Sequence, residues 1–204
     1  MSTSLITTER LLLVPASRDL IREALAGDAA LANALGAELP PDWPPEFYDA
    51  DSLTYTLDRL EASPAYEGWS MYFFLRRDGR VLVGNGGYYG PPSEEGTVEV
   101  GYSVVPSHQG RGYATEAMRG LLARAFADPR VERVVATTLP DRLPSIRVVE
   151  KLGFERSDVS PEPGVIQFVR AREEPLHRTA RPPLAVPYLR ARVAGERPPV
   201  MPRS

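Results

Sequence analysis

Residues 104–117 read VVPSHQGRGYATEA, and this stretch decides the fold of the chain. Before it, Thr97 to Val105 reads TVEVGYSVV, which is typical of a buried β-strand. After it, apolar residues recur at helical spacing, namely Ala114, Ala117, Met118, Leu121, Leu122, Ala125 and Phe126. The sequence therefore predicts a strand, a glycine-rich turn and a helix in direct succession.

The turn has the features of a phosphate-binding loop. Gly110 and Gly112 carry no Cβ, so a bulky anion can approach the backbone closely. The N–H groups and the dipole of the first helical turn then favour negative charge. A Walker A loop is excluded, because no glycine is followed by Lys and then Ser or Thr. A dinucleotide fingerprint is excluded too, since Thr115 stands where its third glycine belongs.

What remains is the hexapeptide QGRGYA at residues 109–114, which resembles the acyl-CoA pyrophosphate loop of the GNAT family of N-acetyltransferases. Three further stretches resemble that family. Residues 145–154 (SIRVVEKLGF) are similar to a helix of that family and to the residues that directly follow this helix. Residues 99–102 (EVGY) and 8–13 (TERLLL) resemble strands of the branch that includes ribosomal-protein N-terminal acetyltransferases. The four motifs stand in the family's order and cover roughly residues 8–170.

The resemblance implies a GNAT fold of the α/β (α+β) class. Such a fold has a central mixed, mostly antiparallel, twisted sheet of about six to seven strands, flanked by helices and splayed at the acyl-CoA site. We expect this domain over residues 1–172 and a Pro- and Arg-rich C-terminal extension over 173–204. Two interpretations of the extension stay open: a flexible segment whose composition cannot bury a core, or a segment that docks on a partner.

Local signals place the remaining elements. We expect strands at 10–14, 69–76, 81–89, 133–139, 154–159 and 165–171, and helices at 17–26, 29–35, 51–62 and 144–153. Ser17 is the expected N-cap of the first helix, and Asp51 or Ser52 is that of the third. Asp78-Gly79 predicts a hairpin turn between two strands.

Composition narrows the class of protein. The net charge of −3 gives no basic field, so we expect no nucleic-acid partner. The absence of cysteine excludes disulfides and a Cys nucleophile, and with only two histidines we expect no metal site. Residues 1–10 do not resemble a signal peptide, and no apolar run reaches the length of a membrane span. We therefore expect a cytoplasmic protein without a membrane partner.

The resemblance implies an N-acetyltransferase that moves an acetyl group from acetyl-CoA to a primary amine. The amine, on a protein N-terminus or a small molecule, attacks the thioester directly in a ternary complex, without a covalent enzyme intermediate. A homodimer is implied on the same grounds. Two alternatives stay open: a CoA-binding regulatory or interaction module without turnover, and an acyltransferase that uses another acyl-CoA donor.

Roles for individual residues follow from the same resemblance. The backbone of Val104 and Val105 is expected to pair with the pantetheine arm. The pyrophosphate is expected to face the loop residues Gln109, Gly110, Arg111, Gly112, Tyr113, Ala114 and Thr115. Glu99 is the candidate base for the amine proton, or else a structural partner in an ion pair or hydrogen bond. Ser145 is the candidate donor to the leaving thiolate, or else a capping residue, and Glu162 is a weaker carboxylate candidate.

Two residues depart from the pattern of the family. Arg142 stands where many relatives carry Asn, and Val149 stands where many carry a Tyr general acid. The first departure puts part of the pantetheine contact in question. The second shifts proton donation to Ser145 or to water.

Aromatic and acidic residues are concentrated in the segment that follows the first helices. They are Trp43, Phe47, Tyr48, Tyr55 and Tyr66, with Glu46, Asp49 and Asp51 nearby. An aromatic and acidic wall suits a cationic amine acceptor. The alternative is that the rings fill the core beneath the helices while the acids face solvent.

Overall fold

The computed structural model describes residues 5–160 and 162–172, which form eight β-strands and five α-helices. The predicted α/β class, with mixed but mostly antiparallel strands flanked by helices, is confirmed. The number of strands exceeds the predicted six to seven because Ile6–Thr7 adds a strand of 2 residues that was not predicted. The described residues divide into two compact units, one of 5–91 and 101–124 and one of 92–100, 125–160 and 162–172.

The first unit is built on antiparallel strands that pair in chain order. They are β1 (Ile6–Thr7), β2 (Leu11–Pro15), β3 (Met71–Arg76) and β4 (Leu82–Tyr88). Beside β4 runs the second half of β5, a strand that spans Thr97–Val104 in all. Just beyond its end, the Val105 N–H donates to the carbonyl of Val83 at 3.0 Å. The strand predicted up to Val105 is thus confirmed to within one residue.

Strand β4 needs glycine where it passes β5. A Cβ on Gly84 would stand 2.2 Å from the carbonyl oxygen of Ser103, far inside van der Waals contact. Glycine lowers the intrinsic strand preference of this segment, but here it permits a close approach of two backbones. All seven residues of β4 are buried.

Helices α1 (Arg18–Ala26), α2 (Asp28–Leu35) and α3 (Ala50–Ala62) belong to the first unit. The predicted cap of α1 is confirmed, because the Ser17 hydroxyl oxygen accepts the Leu20 N–H at 3.1 Å. The predicted cap of α3 is wrong. Asp49 caps this helix and accepts the Ser52 N–H at 2.9 Å, while the Ser52 hydroxyl oxygen accepts the Asp49 N–H at 3.0 Å. With this reciprocal pair of hydrogen bonds, the helix begins at Ala50, which precedes both residues that were predicted to cap it.

The core of the first unit lies between these helices and the strands. Ile21, Leu31 and Leu60 project from the helices and cluster with Phe73 and Leu75 of β3. All five side chains are at most 1% exposed. Burying a side chain of this size stabilises the fold by about 1.5–3 kcal/mol. Apolar side chains from all three helices therefore pack on β3.

The second unit begins with the first half of β5. Its residues 97–100 run parallel to β6 (Arg133–Thr138), and β6 pairs antiparallel with β8 (Ile166–Ala171). The strand β7 (Glu155–Arg156) is shorter than the predicted strand at 154–159. After β7, the Ser157 N–H still donates to the Gln167 carbonyl at 2.8 Å, but the Ser157 hydroxyl oxygen then accepts the Val159 N–H at 3.1 Å in a turn.

Arg172 closes the second unit after β8. Its guanidinium donates to the carbonyls of Phe126, Asp128 and Val131 at 2.6–2.9 Å. Two of these carbonyls lie at the end of α4 (Tyr113–Ala127), where a cation is favoured by the helix dipole. The predicted C-terminal extension at 173–204 lies outside the described residues. None of the helices in 5–160 and 162–172 has the length and apolarity of a membrane span.

Candidate functional site

The loop singled out in the sequence is exposed and open in the structure. After β5 the chain makes a short 3-10 turn (Pro106–His108), and α4 begins at Tyr113. Between them, Gly110 and Gly112 have φ values of 71° and 82°, in the left-handed region that favours glycine. Nothing lies within 4 Å of the position that a Cβ on Gly110 would take. An anion therefore has room to approach the backbone in front of a helix of 15 residues.

The inner end of the loop is held by its own hydrogen bonds. The Gln109 side-chain amide donates to the Val104 carbonyl at 2.9 Å, and the His108 N–H donates to the Val105 carbonyl at 2.9 Å. The Val105 N–H is also used, by the carbonyl of Val83. Part of the backbone predicted for pantetheine is thus engaged by the protein. A carbonyl oxygen has two lone pairs, so the role of Val104 and Val105 stays a prediction.

A remote carboxylate holds the 3-10 turn that precedes the loop. Asp42 accepts the Ser107 N–H at 2.7 Å and the Ser107 hydroxyl at 2.8 Å. These two bonds hold the pKa of Asp42 below its usual value. The neighbouring His108 has its pKa lowered by burial and by the charges of Arg111 and Arg76, so its ring is neutral at neutral pH.

The first turn of α4 contains a buried carboxylate with three donors. Glu116 Oε1 accepts the Thr8 hydroxyl at 2.6 Å and the Arg10 N–H at 2.7 Å, and Oε2 accepts Arg10 Nε at 2.7 Å. The guanidinium of Arg10 continues to the loop, where Nη1 donates to the Arg111 carbonyl at 3.0 Å. Its Cζ also stands 4.7 Å from the centroid of the Tyr113 ring.

Glu116 is ionised at neutral pH in spite of its burial. The side chain is only 11% exposed, and burial on its own raises the pKa of a carboxyl. The opposing hydrogen bonds from Thr8 and Arg10, together with the positive charge of Arg10, outweigh burial and bring the pKa of Glu116 below its ordinary 4.5. A negative charge therefore sits in the first turn of α4, next to its counter-ion.

Glu99 lies in the second unit, where the prediction of a carboxylate in a buried strand is confirmed. It is 2% exposed, stands opposite Val135 of β6 and accepts the Thr137 hydroxyl at 2.9 Å. This hydrogen bond is the kind of contact that the structural interpretation of Glu99 predicts. A carboxylate has acceptor sites for several donors, so the role as a base stays a prediction.

Ser145 also lies in the second unit, in α5 (Leu143–Lys151). The N-cap of α5 is Arg142, and the side chain of Arg142 makes no capping hydrogen bond. Ser145 is half-buried at the third helical position, and Val149 is buried with 3% exposure. Glu162 is half-buried in the turn before β8. The catalytic role of Ser145 stays a prediction.

The aromatic residues that were predicted to form a wall for the acceptor have different surroundings in the structure. Trp43 and Tyr48 pack edge to face at 5.0 Å between ring centroids and belong to the core. The guanidinium of Arg59 already lies over the other two Tyr rings, 4.9 Å from Tyr55 and 5.4 Å from Tyr66. Phe47 differs, being 53% exposed. The alternative that rings fill the core therefore holds for Trp43 and Tyr48.

The structure brings together the cofactor residues predicted from the sequence and adds others. Val104, Val105 and the loop at 109–115 all lie in the first unit, whereas Glu99 and Ser145 lie in the second. The anchors Arg10, Glu116 and Asp42 were missed as site residues. Arg10 belongs to the TERLLL motif, but no local pattern pairs it with a carboxylate 106 residues away. Within 5–160 and 162–172, no three His, Asp or Glu side chains are grouped to hold a metal ion.

Comparison of the sequence with known families gives one match that spans most of the described chain. The family model described as an acetyltransferase (GNAT) domain matches residues 10–155. A curated relative is the uncharacterized N-acetyltransferase YjdG of Bacillus subtilis (strain 168). It is 31% identical over 159 residues, which cover 78% of this chain and 94% of YjdG.

Solved structures share the fold at low sequence identity. RimL, a ribosomal alpha-N-protein acetyltransferase in complex with coenzyme A, has a TM-score of 0.57 at 15% identity, covering 82% of this chain and 98% of RimL. The microcin C7 self-immunity acetyltransferase MccE, in complex with acetyl-CoA and AMP, has a TM-score of 0.55 at 16% identity, with coverage of 84% and 98%. Both likenesses concern the arrangement of the backbone.

The contacts of Glu116 predict a pH-dependent contribution to stability. At pH 7, Glu116→Gln removes a charged acceptor and should lower the free energy of unfolding by about 1–3 kcal/mol. Because the folded-state pKa lies below 4.5, this contribution is present above pH 4.5 and is lost as the pH falls through the lowered value. Urea unfolding of both proteins between pH 7 and pH 3 measures it.

The matched control for this prediction is Glu9→Gln, which changes an exposed carboxylate next to Arg10. We expect this control to leave the stability within about 0.5 kcal/mol of the unchanged protein across the same pH range. A difference between Glu116→Gln and the unchanged protein that stays constant down to pH 3 would contradict the prediction.

Proposed function

We infer the activity from one premise: the chain belongs to the GNAT acetyltransferase family, whose domain model matches residues 10–155. It is an acyl-CoA-dependent acyltransferase. We propose that its donor is acetyl-CoA and that its acceptor is a primary amine. The observation that carries this proposal is the open loop at Gly110 and Gly112, which presents backbone to an anion at the start of α4.

The loop fits the phosphate-bearing end of the donor for two reasons. A Cβ at Gly110 would meet nothing within 4 Å, so the approach to the backbone is open. The Arg111 side chain is exposed beside it, and the carboxylate of Glu116 is paired with Arg10. The residues proposed to hold the diphosphate are therefore Gln109, Gly110, Arg111, Gly112, Tyr113, Ala114 and Thr115. The strand end at Val104 and Val105 is proposed to hold the pantetheine arm.

The proposed reaction is a direct acyl transfer. The lone pair of a neutral amine attacks the thioester carbonyl carbon, the C–N bond forms and the C–S bond breaks. The amine must therefore lose protons, one to become neutral and one after attack, while the leaving thiolate takes up a proton. Holding both substrates on one protein supplies much of the acceleration by proximity. This route needs no nucleophile from the protein, which agrees with a chain without cysteine.

Glu99 and Ser145 are the proposed proton-transfer groups. Glu99 is a buried carboxylate on the same strand that ends at Val104, and we propose that it accepts a proton from the amine, directly or through water. Ser145 is proposed to donate to the thiolate, because the position of the usual Tyr acid is occupied by the buried Val149. A cytoplasmic location and a homodimer stay predictions from the sequence.

The proposed function is tested by titrating the protein with acetyl-CoA in a calorimeter and then following thiol release with a panel of amines. The panel contains N-terminal peptides, amino sugars and polyamines. We expect binding, together with CoA release for one class of amine. Binding without release for every amine would favour a regulatory module or another acyl donor. Absence of binding would overturn the proposal.

The loop assignment predicts a charge effect at Gly110. Asp and Asn have the same shape and both tolerate the left-handed backbone, so Gly110→Asp and Gly110→Asn differ only in charge. We expect the Asp variant to bind CoA at least tenfold more weakly than the Asn variant, because its carboxylate repels the phosphates. Isothermal titration measures both affinities. Equal affinities would show that no phosphate lies at this loop.

The base assignment predicts a loss of rate without a loss of donor binding. Glu99→Gln keeps an oxygen for the Thr137 hydroxyl but removes the charge. We expect kcat to fall by about 100-fold or more, with little change in the KM for acetyl-CoA. The control is Glu155→Gln, an exposed carboxylate of the same unit, which should keep its kcat within a factor of about two. An unchanged rate and pH profile for Glu99→Gln would exclude Glu99 as the base.

A further inference from the structure

The contacts of Arg10 reach the loop at one defined peptide group. Arg10 Nη1 donates to the Arg111 carbonyl at 3.0 Å. A trans peptide is planar, so the Arg111 carbonyl and the Gly112 N–H point in opposite directions. Fixing this carbonyl on the side of Arg10 therefore turns the Gly112 N–H to the other side. Among the described residues, the Gly112 N–H donates to no backbone carbonyl in the turns and loops.

We propose that Arg10 is a positioning residue for the donor: it orients the Arg111–Gly112 peptide so that the Gly112 N–H faces a phosphate of CoA. This inference rests on the proposed donor site. It adds to that site a residue that lies 101 positions before Arg111 in the sequence. Arg10 acts through the loop, and its contacts are to protein groups.

The geometry of the guanidinium is held from three directions, which makes Arg10 a defined support. The Glu116 carboxylate accepts hydrogen bonds from Nε and from the backbone N–H of Arg10, each at 2.7 Å. The ring of Tyr113 lies beneath Cζ at 4.7 Å. A Cβ on Gly112 would lie 3.4 Å from Nη2, so the guanidinium occupies the flank of the loop at this glycine. A planar fork with separate donors suits this bridge, whereas the point charge of a lysine does not.

The pair also solves an electrostatic problem. Glu116 places a negative charge in the first turn of α4, close to where phosphates are proposed to bind. The charge of Arg10 balances it at 2.7 Å. If Arg10 alone is neutralised, the carboxylate of Glu116 remains and repels the phosphates. If both residues are neutralised, that repulsion disappears while the peptide still lacks its support.

This reasoning predicts an order of affinities that loss of stability alone does not produce. We expect Arg10→Gln to weaken CoA binding by at least tenfold. The double variant Arg10→Gln with Glu116→Gln should recover a part of that loss, at least threefold, although it removes more of the native contacts. Arg10→Lys keeps the charge without the fork, and it should bind CoA between the unchanged protein and Arg10→Gln.

Three ligands show which part of the donor is affected by the loss of Arg10. CoA carries a diphosphate and a 3′-phosphate, dephospho-CoA carries the diphosphate alone, and pantetheine carries no phosphate. We expect Arg10→Gln to weaken CoA and dephospho-CoA by the same factor and to leave pantetheine binding unchanged. Calorimetry serves the first two ligands, and saturation-transfer NMR serves pantetheine. The control is Arg22→Gln, which breaks the exposed pairs of Arg22 with Asp19 and Glu61 and should change none of the affinities.

The outcomes separate this inference from the function on which it rests. If the unchanged protein does not bind CoA, the proposed donor site and this inference both fail. If it binds CoA and both Arg10→Gln and Arg10→Lys bind equally well, only the role of Arg10 fails. An equal loss for CoA and pantetheine would assign Arg10 to general stability, and a loss for CoA that spares dephospho-CoA would place it at the 3′-phosphate. Either result would overturn the proposal.

Discussion

The ion pair between Arg10 and Glu116 is the interaction on which the loop depends, because it joins two segments that are 106 residues apart. One partner follows β1, and the other lies in the first turn of α4. An exposed salt bridge contributes little to stability, but this one shares a buried carboxylate with a hydroxyl and a backbone N–H. The backbone bond from Arg10 makes the bend between β1 and β2 part of the pair. The start of the sheet and the start of α4 therefore depend on the same carboxylate.

The loop is supported on both sides of its glycines. Asp42 holds Ser107 before them through two bonds of 2.7 and 2.8 Å, and Arg10 holds Arg111 between them. Left-handed glycines are conformationally free in the unfolded chain, and ordering each backbone costs about 1–2 kcal/mol. When folding has already met this cost, binding of a ligand does not meet it again. A loop that looks flexible by composition is thus held in place by side chains outside it.

What the sequence predicted well depends on neighbours along the chain. The Ser17 cap and the succession of a strand, a glycine-rich turn and helix α4 follow from residues within one or two turns. The prediction failed at the cap of α3, where Asp49, Asp51 and Ser52 all have capping side chains and only the backbone conformation chooses among them. Anchors such as Asp42 on Ser107, 65 residues apart, have no local signal at all. Their partners are set by the packing of the sheet.

The same limit applies to the residues that bear on acceptor and catalysis. An aromatic segment near acids suits a cationic ligand, but Arg59 supplies the cation for Tyr55 and Tyr66 from within the fold. Glu99 poses the converse question, since its hydrogen bond from Thr137 is what a structural carboxylate makes. A carboxylate offers about four acceptor sites, so this contact and a role as base are compatible. The two roles of Glu99 differ in the need for a negative charge, and contacts alone do not separate them.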